Sequence, residues 1–549
     1  MDARAEPSGR PLLSCAAGLS VAALLLATSP SLPMVWDEGN AILRAEQIAH
    51  GRWLYTTQIE GHPALYGIVI LAGHSLGEAW LPPLTAWRLG PILLFSVAAG
   101  AMFYRMARDY SLRAAVGSVA ALVLMPRLFA HAHFASFDGP LTSCWILAWA
   151  TFDFARRRWW GTVAWGIALG MTLSCKATGW LAPLPFLVRV ALDCGVSGTV
   201  FSPFRKRKSR YINRSRAPML TATNRDRLGL RVFAAGLPIA LATFFLLNPP
   251  LWSDPVGGWA AFFQLNFNRA ANPGLNISTW FLGRMYDLHH PLPWYNTLWW
   301  TLVSVPSGIL ALGLLGIVVA CRRWRGQPSG SLLMFNWGVL LIVRALPGVP
   351  PHDGVRLFLP SFAFLAALAG VGTDALLGWG ARKRPEKRAR RAAAITGVVL
   401  LYGTGAVGLV LYSPQWLSYY NGAVGGLPGA VALGMEPTYY WDGLDRSVLD
   451  WLHENTPQGQ KIRFGSSSPE NRRLMRRWGM LRRASSPAAS GKHRWYVFQR
   501  RPSGYRPADV WLTENAEPAF QKTLLGVPLV EVYREADYQQ ARQEVGDRW

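Results

Sequence analysis

Long apolar runs recur along this chain, and nearly every second one stops at a cluster of arginine or lysine. About 20 apolar residues in a helix span the roughly 30 Å hydrocarbon core of a bilayer, and Lys and Arg gather on its cytoplasmic side. Together the two patterns predict a polytopic α-helical membrane protein. Composition agrees: 51% hydrophobic residues, 26 Trp and only 16% charged residues among 549 make the chain too apolar for an ordinary soluble enzyme. The formal net charge of +25 would suit a nucleic-acid binder, but the basic residues lie in short clusters between apolar runs. Membrane lipid is therefore the expected partner, and nucleic acid is not. Cys15, Cys144, Cys175, Cys194 and Cys321 sit in or beside apolar runs without CxxC spacing, which supports neither a disulfide framework nor a thiolate metal site.

Marking the basic clusters gives a consistent in/out alternation with about eleven spans. Arg4 and Arg10 hold the N-terminus inside, and the run 11–33 reads as a retained first helix, because cleavage would leave a new terminus beside Asp37. Spans follow near 88–104, 114–129, 141–154, 161–174, 179–192 and 232–247; an eighth ends at Arg322, a ninth covers 332–346, a tenth ends at Arg382 and the last covers 393–411. The basic stretch 194–231 is then a cytoplasmic loop, while 34–87 and 248–296 lie outside. Within the first outer loop, the apolar piece 65–76 is too short to span and suits a helix lying on the membrane surface. The transmembrane part occupies 1–413. Residues 414–549 change to mixed charge and shorter periodicity, with a helix over 444–454 and strands over 461–464, 495–498 and 529–533, which predicts a small extracytoplasmic α/β domain. No internal repeat of solenoid or transporter period is visible.

On this topology the unusual polar residues collect on one face. Asp37, Glu38, His62, His131, His133, Asp138, Lys176, Arg284, His289, His290, His352, Asp353 and Arg356 all fall at or beyond outer ends of helices. Carboxylates and cations cost little in water and much in hydrocarbon, so their gathering at a membrane exit marks a candidate site. Transfer of a group from an anionic lipid needs such a mixture.

The motifs that carry these residues resemble those of GT-C glycosyltransferases of the protein O-mannosyltransferase and aminoarabinose-transferase superfamily. They are Trp36-Asp37-Glu38-Gly39, His62-Pro63, the "HAHFASFDGP" segment holding His131, His133 and Asp138, and Lys176 in "CKATG"; "WFLGRMYDLHHPLPWYN" with Arg284, "HDGVRLFLPSFAFLAALAG" with His352 and Arg356, and "YYNGAVGGLPGA" complete the set. The resemblance covers most of the chain up to about Asp445. It implies a GT-C type fold, a sugar donor on a polyprenyl phosphate, and a lipid, glycan or protein acceptor at the outer face. It further implies hexosyl or pentosyl transfer, with inversion if a single base drives direct displacement. Asp37 matches the family's acidic residue after the first helix, where a carboxylate can take the acceptor's proton; Glu38 is expected to orient a neighbour, and Asp138 to serve as a second acidic site residue. His62, Lys176, Arg284, His352 and Arg356 are the candidate donor-phosphate residues. Some relatives carry Lys where this chain has His62.

Plainer readings stand beside each of these. Acids favour helix N-termini, which would account for Asp37, Glu38 and Asp138. Lys176 and Arg356 would snorkel to the interface. His131 and His133, with Asp37 and Asp138, are candidate ligands of a divalent metal such as zinc or manganese, but histidines hydrogen-bonded at an interface are the favoured reading. No other cofactor is expected. Arg344, inside an apolar run, is expected to face a polar partner or a cavity. The Trp-rich outer loop suits either a lid or an interfacial aromatic belt, and Tyr419, Tyr420 and Asn421 read as structural. The rival functions are a transporter or flippase of lipid-linked sugars, which calls for polar residues through to both faces, a noncatalytic scaffold, and a ligase moving whole glycans. The expected location is a bacterial inner membrane, with the site and the C-terminus extracytoplasmic.

Overall fold

The apolar runs fold as helices. A computed structural model of the chain describes residues 9–53, 61–193, 222–268, 277–323, 328–380, 387–481 and 492–546; most of the basic loop 194–231 lies outside them. Among the described residues, five helical segments are long and apolar enough to cross a membrane: Gly9–Ser31, Pro83–Asp109, Gly229–Leu246, Gly354–Gly380 and Arg388–Leu411. The protein is an integral membrane protein. Other expected spans are helical but shorter or broken. The run 114–129 divides into Leu112–Val123 and Pro126–His131, and the eighth into Asn296–Ser304 and Ser307–Arg323. Pro126 and Pro306 stand at the two breaks, and proline both lacks an N–H and bars its predecessor from helical geometry. Hydropathy reads straight through such breaks. Eleven is therefore a count of apolar segments, and helix length alone supports five crossings.

Segment Gly354–Gly380 is the centre of the bundle, its most apolar window wholly buried. Small residues permit this: a Cβ on Gly372 would run into the Leu312 carbonyl, and one on Gly316 into that of Leu368, so the two helices touch backbone to backbone. The segment opens as a 3-10 turn, Gly354–Phe358, which carries Arg356. Helix Leu65–Gly77 packs against Pro83–Asp109, and Glu38–Ala49 packs against Leu65–Gly77.

A two-stranded hairpin, β1 (Thr279–Phe281) with β2 (Arg284–Tyr286), lies within residues 248–296. The C-terminal part holds a four-stranded sheet of β3 (Lys461–Phe464), β4 (His493–Gln499), β5 (Phe520–Leu524) and β6 (Val527–Arg534), ordered β3-β4-β6-β5. β3 runs parallel to β4, and the other pairs are antiparallel. The three strands expected from sequence are present, and β5 is an addition. One buried apolar cluster runs unbroken from the membrane helices through Tyr439 and Tyr440 to Leu529, Val530 and Val532 of β6.

The loop holding Asp37 is clamped from both sides. From the C-terminal part, Asn471 Nδ2 donates to the Val35 carbonyl (2.9 Å) and its Oδ1 accepts from the Gly39 N–H (2.8 Å), while the Trp36 N–H donates to the Tyr440 carbonyl (3.1 Å). From the bundle, Glu38 and Arg88 form a fully buried ion pair. Arg88 donates from Nε (2.8 Å) and Nη2 (2.7 Å) to Glu38, and to the carbonyls of Ser29, Leu32 and Pro33. All five guanidinium donors are thereby used. Glu38 also accepts from the N–H groups of Val35 (3.1 Å) and Ala135 (2.9 Å).

Removing one member of a buried pair leaves the other charge uncompensated, at a cost of about 3–5 kcal/mol. Arg88→Met is therefore expected to lower the thermal unfolding temperature of the detergent-solubilised protein sharply, and Glu38→Leu/Arg88→Met to recover most of the loss. A single variant as stable as wild type would contradict the assignment.

Candidate functional site

Asp37 occupies the N-cap position of Glu38–Ala49, yet its side chain makes no capping hydrogen bond. Its carboxylate turns to the site instead. Oδ2 accepts from Arg356 Nη1 (2.5 Å) and from the Tyr440 hydroxyl (2.8 Å). Oδ1 accepts no hydrogen bond among the described residues, and the side chain remains 19% exposed.

Arg356 is the hub. The turn Gly354–Phe358 starts at Asp353, whose φ of 61° lies in the left-handed region that Asp tolerates better than bulkier residues. This bend brings the Asp353 carboxylate back onto Arg356 Nη2. Arg356 Nη1 also donates to the Tyr440 hydroxyl (2.9 Å) and stands 3.5 Å from Asp138 Oδ2, and the guanidinium stacks 4.4 Å from the Tyr440 ring centre. Asp138 begins helix Asp138–Ala155 and holds Lys176 Nζ at 2.7 Å, with the ammonium over the Phe137 ring. On the far side, Asp353 Oδ1 accepts from Arg501 Nη2 (2.9 Å), and Arg501 Nε reaches Glu436 (3.2 Å). A continuous chain of charges thus links Lys176 to Glu436.

Burial sets the protonation of this network. It pulls the Lys176 ammonium below its ordinary range, with Asp138 opposing. It pushes the Asp353 carboxyl up, but Arg356 and Arg501 outweigh it and hold the group below its ordinary value. His352 is pushed down to about 3 by burial, so its imidazole is neutral.

Beside Arg356 opens a cavity of about 650 Å³ walled by Trp180, Phe262, Phe263, Leu340 and other apolar side chains. Lys176, Arg344 and Arg356 reach it, as do His62 and His352, and among the described residues no carboxylate lines it. Arg344 ends helix Pro328–Arg344 and faces this cavity. His62 stacks on Phe137 at 4.7 Å. Arg344 Nε, Arg356 Nε and His352 Nδ1 are buried without a hydrogen-bond partner among the described residues.

Of the residues singled out from sequence, Asp37, Asp138, Lys176 and Arg356 come together, and His62 and His352 line the adjoining cavity. Glu38 lies inside the Arg88 pair and is not among the cavity-lining residues. Arg284 is exposed on β2 and is not among the cavity-lining residues. The four candidate metal ligands do not converge. His133 Nδ1 donates to the Phe129 carbonyl (2.8 Å) and Nε2 shares a hydrogen bond with the Thr28 hydroxyl (2.8 Å), so both ring nitrogens are committed. His131 lies 3.4 Å from the Tyr439 hydroxyl, its pKa driven well down by burial and then by Arg356. Among the described residues no three His, Cys, Asp or Glu side chains stand together as a metal site. Asn421 is structural, donating from Nδ2 to the carbonyls of Leu302 (2.6 Å) and Val305 (2.7 Å).

Sequence reading passed over Tyr440, Glu436 and Arg501, and also Arg127. Arg127 is buried at the 126–131 break, bonds the Tyr419 carbonyl through Nε (2.9 Å) and lies 4.4 Å from the Tyr420 ring centre. An arginine inside an apolar run was a usable signal. So was the crowding of acids and aromatics in Glu436–Asp442.

No family model matches the chain, and no curated protein matches it. Among solved structures it is similar to ArnT from Cupriavidus metallidurans in the apo state, at 15% identity over 94% of this chain and 97% of that one, with a TM-score of 0.49. It is also similar to ArnT from the same organism bound to undecaprenyl phosphate (16% identity, 94% and 97% covered, TM-score 0.45). A third is the archaeal oligosaccharyltransferase AglB from Archaeoglobus fulgidus in complex with an inhibitory peptide and a dolichol-phosphate (12% identity, 88% and 69% covered, TM-score 0.48).

Asp442, two residues beyond Tyr440, is buried with Oδ1 unpartnered, and burial pushes its carboxyl up from 3.8 to about 6. A raised folded-state value means that the native protein holds this proton more tightly than the unfolded chain. Its contribution to stability is full below about pH 3.8 and is lost as pH rises to about 6. Asp442→Asn is expected to raise stability at pH 7.5 by about 3 kcal/mol at most and to leave it unchanged near pH 4, as read from unfolding temperatures at the two pH values.

Proposed function

We propose that the chain is a membrane glycosyltransferase that moves a sugar from a polyprenyl-phosphate donor to a lipid, glycan or protein acceptor. One observation carries this reading: an apolar cavity of about 650 Å³ whose lining, among the described residues, includes three cations and no carboxylate, opening beside the Arg356–Asp37 pair. A purely apolar lipid needs no cations there, and a free sugar phosphate needs no apolar wall. An isoprenoid chain ending in phosphate needs both. The unpartnered Nε groups of Arg344 and Arg356 are donors suited to phosphate oxygens.

In this reading the acceptor hydroxyl attacks the anomeric carbon as the bond from that carbon to the phosphate oxygen breaks, and the phosphate leaves with the electron pair. The hydroxyl proton passes to Asp37 Oδ1, the oxygen that carries no hydrogen bond, while Arg356 and Tyr440 hold Oδ2 in place. Lys176, Arg344 and Arg356 meet the charge that develops on the leaving phosphate. Asp138 is tied to Lys176 (2.7 Å), which favours a role in setting the ammonium over that of a nucleophile. A single displacement then inverts the anomeric centre.

The reading places the site and residues 414–549 on the extracytoplasmic face of a bacterial plasma membrane, with the basic loop inside.

Purified protein incubated with a panel of radiolabelled polyprenyl-phosphate sugars is expected to transfer or hydrolyse one of them. Asp37→Asn should lower turnover by about 10²- to 10⁴-fold with donor binding retained, and unchanged turnover would remove Asp37 from the mechanism. Arg344→Gln should instead weaken donor binding, with radiolabelled donor retention on the detergent-solubilised protein as the measurement.

A further inference from the structure

Helix Asp138–Ala155 begins in the candidate site and ends at another. Its 18 residues rise about 27 Å at 1.5 Å each, close to the thickness of a bilayer's hydrocarbon core. At the far end the chain turns through Arg156, Arg157 and Arg158, and a cavity of about 390 Å³ opens there. These three arginines line it together with Arg231 of helix Ala222–Leu246, Trp159 and Thr162, and among the described residues no carboxylate does.

The nearby acids are already engaged. Asp109 is paired with Arg105 and with Arg108 (3.0 Å), and Asp153 with Arg105 (2.6 Å) and Arg108 (3.2 Å). Arg157, Arg158 and Arg231 are exposed and make no ion pair among the described residues. Arg157, Arg158 and Arg231 repel one another around this cavity, and an anion between them turns that repulsion into attraction. The cavity also lies at the N-terminus of helix Trp159–Leu173, where unsatisfied N–H groups favour negative charge.

Its setting names the source of the anion. Trp159, which lines the cavity, is 81% exposed and the adjacent Trp160 45%, and tryptophan concentrates where lipid headgroups meet water. The two helices that frame the cavity turn apolar residues outward, Ile167 on one and Leu230 on the other. We propose that this cavity binds the phosphodiester headgroup of an anionic membrane lipid at the membrane face opposite the candidate site, with the acyl chains lying along those two helices. Basic pockets between membrane helices recognise lipid headgroups in this way, and Arg suits them through bidentate contact with phosphate oxygens.

The full-length protein reconstituted in phosphatidylcholine nanodiscs provides the test. Phosphatidylglycerol brominated in its acyl chains is expected to quench tryptophan fluorescence more than brominated phosphatidylcholine does, and the surplus should vanish in W159F/W160F. By native mass spectrometry, R157Q/R158Q/R231Q should retain phosphatidylglycerol at least tenfold less than wild type. Equal quenching by the two lipids in the wild-type protein would overturn the proposal, and so would undiminished retention by the triple variant. Displacement of phosphatidylglycerol by millimolar inorganic phosphate would overturn the lipid assignment in favour of a free-phosphate site.

Discussion

The ion pair between Glu38 and Arg88 is the constraint on which the site depends. Both side chains are fully buried, where isolated charges are very costly. What makes the pair tolerable is completeness: every Arg88 donor is used, and Glu38 accepts two backbone N–H groups besides. Those partners belong to the end of the first helix, the loop before Asp37 and the 132–137 loop that precedes Asp138. One interaction therefore fixes the spacing of three segments. The two adjacent carboxylates of the motif divide the labour, Glu38 holding the scaffold while Asp37, one residue earlier, is left facing the site.

Arg356 repeats the device with a different outcome. It too is surrounded by acids, but Asp37, Asp138 and Asp353 approach only its two terminal nitrogens, and Nε is left over. A guanidinium saturated like Arg88 is structural. One with a donor left at a cavity wall has capacity for a ligand. The difference lies in how many donors are satisfied, and burial alone does not report it.

Much of this was legible in the sequence, and the physical reasons for what was missed are specific. Apolar runs and basic clusters are local signals, so the helices and the placement of Asp37, Lys176 and Arg356 followed from them. β5 escaped because Phe520–Leu524 alternates exposed and half-buried residues, which leaves little hydrophobic pattern to read. Tyr440 and Arg501 escaped for another reason: Tyr440 meets Asp37 across 403 residues of chain, and Arg501 meets Asp353 across 148. No periodicity encodes contacts of that kind. The C-terminal part, read from sequence as a small α/β domain, delivers Tyr440, Glu436 and Arg501 to the candidate site.

The distribution of charge now has a structural meaning. At the candidate site each cation in the central network faces a carboxylate, so the field is arranged in pairs and spare donors occur at the cavity wall. At the other end of helix Asp138–Ala155, Arg157, Arg158 and Arg231 line one cavity and make no ion pair among the described residues. A protein in water would gain little from segregating its charge in this way. A bilayer makes the separation useful, because hydrocarbon prevents the two ends from sharing counterions and anionic lipid supplies the missing negative charge at one of them. The net charge of +25 is thus not spread evenly over a surface. The paired charges position groups at one face, and the unpaired ones meet the membrane at the other.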